Sequence, residues 1–423
     1  MKILTTKDTG FQAAFAQIRS RGADQSADVE AKVRDIIGKV RSHGDEALLE
    51  LTEKFDGHKK ITVHPDAIGE AVANIDQQLM SSLKLARQRI EDFHRKQLQN
   101  SWFATGSSGE ILGQIVRPLE RVGLYVPGGK AVYPSSVLMN ALPAIVAGVQ
   151  ELIIVSPAPR GDINPLILAA AQLCGISKIF KIGGAQAIAA LAYGTQTVPR
   201  VDKIVGPGNI YVATAKKLVY GDVDIDMIAG PSEILIISDG TGNPAWAAAD
   251  MLSQAEHDEL ASSILITTDA SFAAQVSEQV RAQLKQLPKK HIAEKSLAQY
   301  GALIVTGNLA EAVRLANEVA PEHLELFVDR PWDLLPQIKH AGAIFMGHHT
   351  PEPVGDYIAG PNHVLPTGGT ARFYSPLSVD DFIKKTSLIS FTRLALDRLG
   401  PDVVRLAEAE ELDAHARSVG IRL

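Results

Sequence analysis

Four stretches of the 423-residue chain concentrate side chains able to hold a ligand or move a proton. In AGPSEILIIS, Ser232 and Glu233 occupy a Gly-Pro turn just before an apolar, branched run with the length of a buried strand. In SQAEH, Gln254 and His257 are three residues apart, so one helical turn shows both to the same patch of surface. In APEHLEL, Pro321 stops a helix before a strand, and Glu322 and His323 at the junction offer two proton acceptors with different pKa values. The segment GHHTPEPVGDYIAGPNHVLPTGG is too rich in Gly, Pro, His and Asp for a core element and reads as a functional loop. There Asp356 can offer a carboxylate oxygen to a metal and His363 can contact a substrate.

Each pattern alone has a blander reading. A carboxamide is a poor metal ligand, and helical Gln-x-x-His pairs usually face water. An adjacent Glu-His pair is ordinarily a solvated surface pair. Adjacent histidines rarely converge on one ion, so His348 and His349 read as polar loop residues. Cys174, the single cysteine, excludes disulfides within the chain and any multi-thiolate zinc site. A metal would therefore need nitrogen and oxygen ligands. At a helix end before a strand, Cys174 reads as a small buried hydrophobe rather than a nucleophile.

The elements that would position these groups follow from periodicity. Residues 1–21 read as a short helix or arm, followed by a polar break over 22–26. Val29, Val33, Ile36, Ile37, Val40, Ala47, Leu48 and Leu51 recur at helical spacing, and Ser42-His43-Gly44-Asp45 divides them into two helices. A long polar helix is expected over 76–100, with His94 on its solvated face. From Val122 onward, branched runs such as ELIIVSP, KIVGPG, SILITT and GALIVT alternate with helices, which implies parallel sheets wound in both directions. Asn243-Pro244 is a helix start, and Pro321 closes the helix expected over 307–319. The tail from 378 reads as mostly helical with a break at Gly400-Pro401. It is too short to form a core alone, so its apolar face must pack on something else.

Three strands end in glycine turns, each with a polar or aromatic residue: Tyr125 in YVPGG, Gln186 in GGAQ and Asn209 in GPGN. Such turns let backbone N–H groups approach a pyrophosphate. None matches G-x-G-x-x-G, so the motif alone does not establish a dinucleotide site. With 46% hydrophobic and 21% charged residues, the composition is that of a soluble globular protein, and no apolar run is long enough to span a bilayer. Lys and Arg number 42 against 48 Asp and Glu, with no dense basic tract, which argues against nucleic acid as a partner. MKILTTKDTGFQAAF lacks the apolar core of a secretory signal, so a cytoplasmic location is expected.

RVGLYVPGG, PSSVLMNALPA, GGAQAIAAL, VGPGN, AGPSE, SQAEH, PEHLE, GDYIAGPNHVLPTGG and EELDAH together closely resemble the histidinol dehydrogenase family along nearly the whole chain. The resemblance implies a cytoplasmic homodimer that oxidises L-histidinol to L-histidine through histidinal with two NAD, the last step of histidine biosynthesis. It implies NAD contacts at Tyr125, Gln186 and Asn209, and one zinc per subunit on Gln254, His257, Asp356 and the neighbouring chain's His415. Glu322 and His323 match the catalytic pair. Substrate contacts match Ser232, Gln254, His257, His323, Asp356, His363, Glu410 and His415.

The expected fold is α/β, with two Rossmann-like doubly wound domains and a helical tail exchanged in a dimer. The expected division is an arm over 1–21, a discontinuous first domain over 22–124 and 234–377, an NAD-side domain over 125–233, and a dimerisation tail over 378–423. Two other activities remain open at this level. One is a same-fold double oxidation of a sulfonated diol, against which Glu410 argues because it would repel the sulfonate. The other is a zinc hydrolase, which would leave the glycine turns idle.

Overall fold

The computed structural model describes residues 1–19, 27–128, 133–228 and 230–423. The polar break at 22–26 and Gly129 of the first glycine turn lie outside the described residues.

The strands are β1 (Lys2–Thr5), β2 (Trp102–Thr105), β3 (Ile111–Pro118), β4 (Arg121–Tyr125), β5 (Glu151–Val155), β6 (Lys178–Phe180) and β7 (Lys203–Val205), followed by β8 (Asp224–Ile225), β9 (Glu233–Ser238), β10 (Ser262–Thr267), β11 (Ala302–Val305), β12 (His323–Phe327), β13 (Ala343–Met346) and β14 (Ile383–Ser390). They form a five-stranded sheet in the order β6-β5-β4-β7-β8 and a six-stranded sheet in the order β1-β11-β10-β9-β12-β13. Every pairing in both sheets is parallel. In the five-stranded sheet the chain starts at the central β4, winds out through β5 to β6, then returns to wind out through β7 to β8. In the six-stranded sheet β1 first forms one edge, and the chain later enters at β9, winds through β10 to β11 beside β1, then returns to wind out through β12 to β13. The turning points lie between β4 and β7, and between β9 and β12. Helices then cover both faces, so the inner strands carry apolar runs such as Ile234-Leu235-Ile236-Ile237, each residue no more than 1% exposed.

Several elements differ from the expectation. Residues 2–5 are an edge strand paired with Ala302–Val305, and helix Phe11–Arg19 buries Phe11, Phe15 and Ile18 against the six-stranded sheet. Helices Ala27–His43 and Asp45–Asp56 pack on helix Gly184–Tyr193, and Gln77–Arg95 packs on Pro134–Ala147. These helices share core clusters with the five-stranded sheet. The alanine-rich face of Gly184–Tyr193 leaves room for Val33, Ile36, Ile37 and Val40 at close approach. His94 is buried rather than solvated. Its Nδ1 lies 2.7 Å from Gln97 Oε1, and Asn362 Nδ2 faces its Nε2 at 3.4 Å.

The tail begins with a 3-10 turn, Val379–Phe382, and strand β14, which pairs antiparallel with β3 in a three-stranded sheet. Helix Arg393–Ala409 runs through Pro401 without the expected break. Gly400 serves a different purpose: a β-carbon there would stand 2.7 Å from Leu423, so glycine lets this helix close on helix Asp413–Gly420.

Candidate active site

At the turning point of the six-stranded sheet, β9 and β12 start side by side, with His323 in register with Ile234. The chain enters β12 through Ala320, which caps helix Leu309–Val319 in the left-handed region at φ 51°. A side chain rarely sits there, and the conformation turns Glu322 and His323 toward β9. The two backbone polar groups of Glu233 hold both. Glu322 Oε2 accepts the Glu233 N–H at 2.9 Å, and His323 Nδ1 lies 2.9 Å from the Glu233 carbonyl oxygen. The Ser232 side chain also bonds Glu322. Gly368 N–H donates to Glu233 Oε1 at 3.1 Å, and Gly230 N–H to Thr367 Oγ1 at 2.5 Å, which fastens the turn to the following loop.

Burial governs the charges. It pushes Glu322 well above the usual carboxyl range, with the neighbouring Glu233 and Asp356 charges adding to the rise. It pushes the His323 imidazole down to about 4, against the opposing pull of Asp356. His363 is lowered by burial as well, and Asp356 and His257 act on both His323 and His363. Glu322, His323, His257, Asp356 and His363 therefore form one interacting cluster.

Several donor atoms in and beside it lack protein partners. Gln254, at the end of helix Pro244–Ala255, is fully buried, and neither its Oε1 nor its Nε2 has a hydrogen-bond partner. His257 lies in the turn just past that helix, its N–H bonded to the Gln254 carbonyl. His323 Nε2, Glu352 Oε1 and His363 Nε2 are buried without partners too. Among the described residues, one group of His, Cys, Asp or Glu side chains can converge on an ion: His323, Glu352 and Asp356, whose ligand atoms lie within 4.8 Å of one another. Such a donor set, nitrogen and oxygen only, fits a divalent cation.

Glu352 and two further carboxyls went unnoticed in the sequence. Glu325, two residues beyond His323 on the same face of β12, accepts the Glu352 N–H at 2.8 Å and bonds Asp250, one turn before Gln254. Burial pushes Asp250 up to about 6 and Glu352 up to about 10, and Glu325 rises with them. The available signal was an acidic residue inside an otherwise apolar strand or helix, HLELF and AAADML.

Glu410 and His415 do not join this cluster. Both are exposed on the tail, and among the described residues no hydrogen bond or ion pair ties either side chain to it. His348 and His349 stand at the opposite end of the sheet, where His348 packs edge-on to Phe327 and His349 lies against Trp246. Cys174 is held near 12 by burial, the state of an inert thiol.

The second group of candidates lies at the carboxyl end of the five-stranded sheet. Tyr125 ends β4, and its hydroxyl accepts the Gly184 N–H at 3.1 Å; burial holds that hydroxyl near 12. Gln186 is buried in the first turn of helix Gly184–Tyr193. Asn209 is exposed and caps helix Ile210–Val219, its Oδ1 accepting the N–H groups of Tyr211 and Val212 at 3.0 and 3.2 Å. That oxygen is committed to the helix, which leaves the Asn209 amide nitrogen for a ligand. Among the described residues, no acceptor bonds the N–H groups of Gly208, Asn209 or Ile210. Free amides at a helix N-terminus suit an anion. Asp56, whose charge reaches Tyr125, and His58, whose ring nitrogens are buried without partners, also stand on this side. Both were passed over in the sequence.

The family model described as histidinol dehydrogenase matches residues 19–423. The chain is 60% identical to histidinol dehydrogenase of Geobacter sulfurreducens and 51% identical to that of Sulfurimonas denitrificans, each alignment covering 100% of both chains. The crystal structure of histidinol dehydrogenase from Elizabethkingia anophelis superposes with a TM-score of 0.94 at 39% identity, covering 100% of this chain and 98% of that one. The chain belongs to the histidinol dehydrogenase family.

Proposed function

We propose that the protein oxidises L-histidinol to L-histidine by way of histidinal, passing one hydride to each of two NAD molecules in the last step of histidine biosynthesis. The observation that carries this reading is the Glu233 backbone, which holds Glu322 by its N–H and His323 by its carbonyl. A carbonyl only accepts, so His323 Nδ1 bears the proton and Nε2 presents its lone pair toward Asp356 and Glu352. Nε2 takes the alcohol proton as the hydride leaves. Glu322 takes a proton from the water that adds to the aldehyde, and His323 accepts the hydrate's proton as the second hydride leaves.

Gln254, His257 and Asp356, with His415 of the partner subunit, would hold one zinc, which supplies orientation for the substrate's imidazole and amine. The unpaired amide of Gln254 supports this, since a buried carboxamide without partners is costly unless a ligand satisfies it. Ser232, His363 and Glu410 complete the substrate contacts, the Glu410 carboxylate suiting a cationic amine. Tyr125, Gln186 and Asn209 contact NAD on a Rossmann-like domain over 125–233, and the free N–H groups at 208–210 support an anion there.

The active enzyme is a homodimer that exchanges its 378–423 tails. On the tail and the three-stranded sheet, Ile389, Leu406, Leu394 and Phe103 are apolar side chains, each more than half exposed, that a second copy could cover. Among the described residues no helix is long and apolar enough to cross a membrane, and the proposed location is the cytoplasm. The test is the NADH formed per L-histidinol consumed. A ratio of about two with histidine as product, lost on chelation and restored by zinc, is expected. No NADH from histidinol would overturn the reading.

A further inference from the structure

The third glycine turn is gripped by an ion pair that the chemistry above does not use. Lys216 and Asp226 have side chains 3% and 1% exposed and bond to each other. Between them they take both backbone groups of Gly206. Asp226 Oδ2 accepts its N–H at 2.8 Å, and Lys216 Nζ donates to its carbonyl at 3.0 Å. Asp226 Oδ1 also accepts the N–H of Met227 at 2.6 Å. Lys216 comes from helix Ile210–Val219 and Asp226 follows β8, so the pair ties the turn to the helix it opens and to the sheet's edge strand.

Stability alone is a weak reason to bury two charges, because a well-packed apolar pair of similar volume generally does as well or better. Geometry is a stronger one. Gly206 sits at φ 113°, and a β-carbon there would stand 2.1 Å from the Tyr125 carbonyl oxygen, so only glycine fits. A glycine peptide is also the easiest to rotate. Turning both of its polar groups inward fixes the direction in which the chain leaves β7. That direction decides where the free N–H groups of Gly208, Asn209 and Ile210 point.

We propose that Lys216 and Asp226 are positioning residues for the cofactor: by locking the two peptide groups that flank the Gly206 α-carbon they aim the amides of the 208–210 turn at the pyrophosphate of a dinucleotide, without touching it. The inference rests on the reading of this end of the sheet as the NAD site.

The test compares two double variants of the full-length enzyme with wild type. Lys216→Gln/Asp226→Asn removes both charges but keeps a donor for the Gly206 carbonyl and an acceptor for its N–H. Lys216→Met/Asp226→Asn removes the donor. Thermal melts establish folding, NADH fluorescence gives cofactor affinity, and initial rates give the KM for NAD, the KM for histidinol and kcat. The amide pair should bind NADH within about threefold of wild type, while the methionine variant weakens NADH and raises the KM for NAD about tenfold or more. Its histidinol KM, and its kcat at saturating NAD, should stay within about threefold.

A folded methionine variant with an unchanged KM for NAD would overturn the proposal, as would both KM values and kcat moving together. Failure of both variants to fold would also overturn it, because the pair would then serve the fold rather than the turn. If wild type itself binds no NADH, the NAD reading has failed rather than the role of the pair.

Discussion

His323 Nδ1 lies 2.9 Å from the carbonyl oxygen of Glu233, and that contact fixes which nitrogen can work as a base. Nε2 is the free one, and burial pulls the ring down to about 4. A base is active when unprotonated, so a lowered pKa extends activity toward acid. For oxidation of the alcohol, kcat at saturating substrate, which reports the bound complex rather than the free substrate's own imidazole, should hold no imidazole limb between about pH 5 and 8. A titration near 6.5, the ordinary histidine range, would contradict the assignment.

Glu322 titrates in the opposite sense. Burial raises it well above 4.5, and it must be ionised to take a proton from water. Oxidation of histidinal should therefore lose rate at a higher pH than oxidation of histidinol does. Glu322→Gln should leave the first half within a few-fold and slow the second by about 10²–10⁴. Histidinal would accumulate with about one NADH per substrate. Equal loss in both halves would sink this division of labour.

The orphaned amide of Gln254 leads to a prediction of crossed signs. In chelated enzyme, Gln254→Met removes two unpaired buried polar atoms and should stabilise the protein by about 1–3 kcal/mol. Added zinc should raise the melting temperature of wild type but not of the variant. If chelated Gln254→Met is less stable than chelated wild type, the amide has a partner within the protein and is a poor candidate ligand.

The sequence was legible where one segment carries the whole signal. Glu322-His323, SQAEH and the glycine turns each sit at the end of an element whose start or stop is local, such as the Asn243 cap or the Pro321 stop. It was opaque where meaning depends on a partner far along the chain. Glu325 matters because it meets Glu352 and Asp250, and Lys216 because Asp226 and Gly206 close around it. Helical periodicity likewise finds Val33, Ile36 and Val40 but cannot say which sheet they cover. His94 shows the same limit, since charged residues crowd it in sequence while its ring meets the buried Asn362, far along the chain.

The carboxyl layer behind His323 makes metal-free enzyme pH-sensitive. Burial and the Asp356 charge raise Glu352 from 4.5 to about 10 in the folded protein. Its stabilising effect is fully present below 4.5 and is lost as pH rises toward and through 10. Glu352→Gln keeps a neutral group there, so the variant should gain on wild type as pH rises. Urea unfolding of both chelated proteins at about pH 5.5, 7 and 8.5 measures this. Parallel stability curves would show that Glu352 keeps an ordinary carboxyl pKa.

Glu410 and His415 stand exposed on the tail, apart from Glu322 and His323, and a shared site turns that separation into a complementation test. Glu322→Gln and His415→Ala should each impair the full conversion as homodimers. In a mixed dimer, the subunit with intact Glu322 receives intact His415 from its partner, and the other site loses both. One site in two would then work, and random mixing should restore about a quarter of wild-type activity. If each chain used its own His415, every site in the mixture would keep one defect and nothing would be restored. Recovery therefore separates a tail exchanged between subunits from a tail that folds back on its own chain.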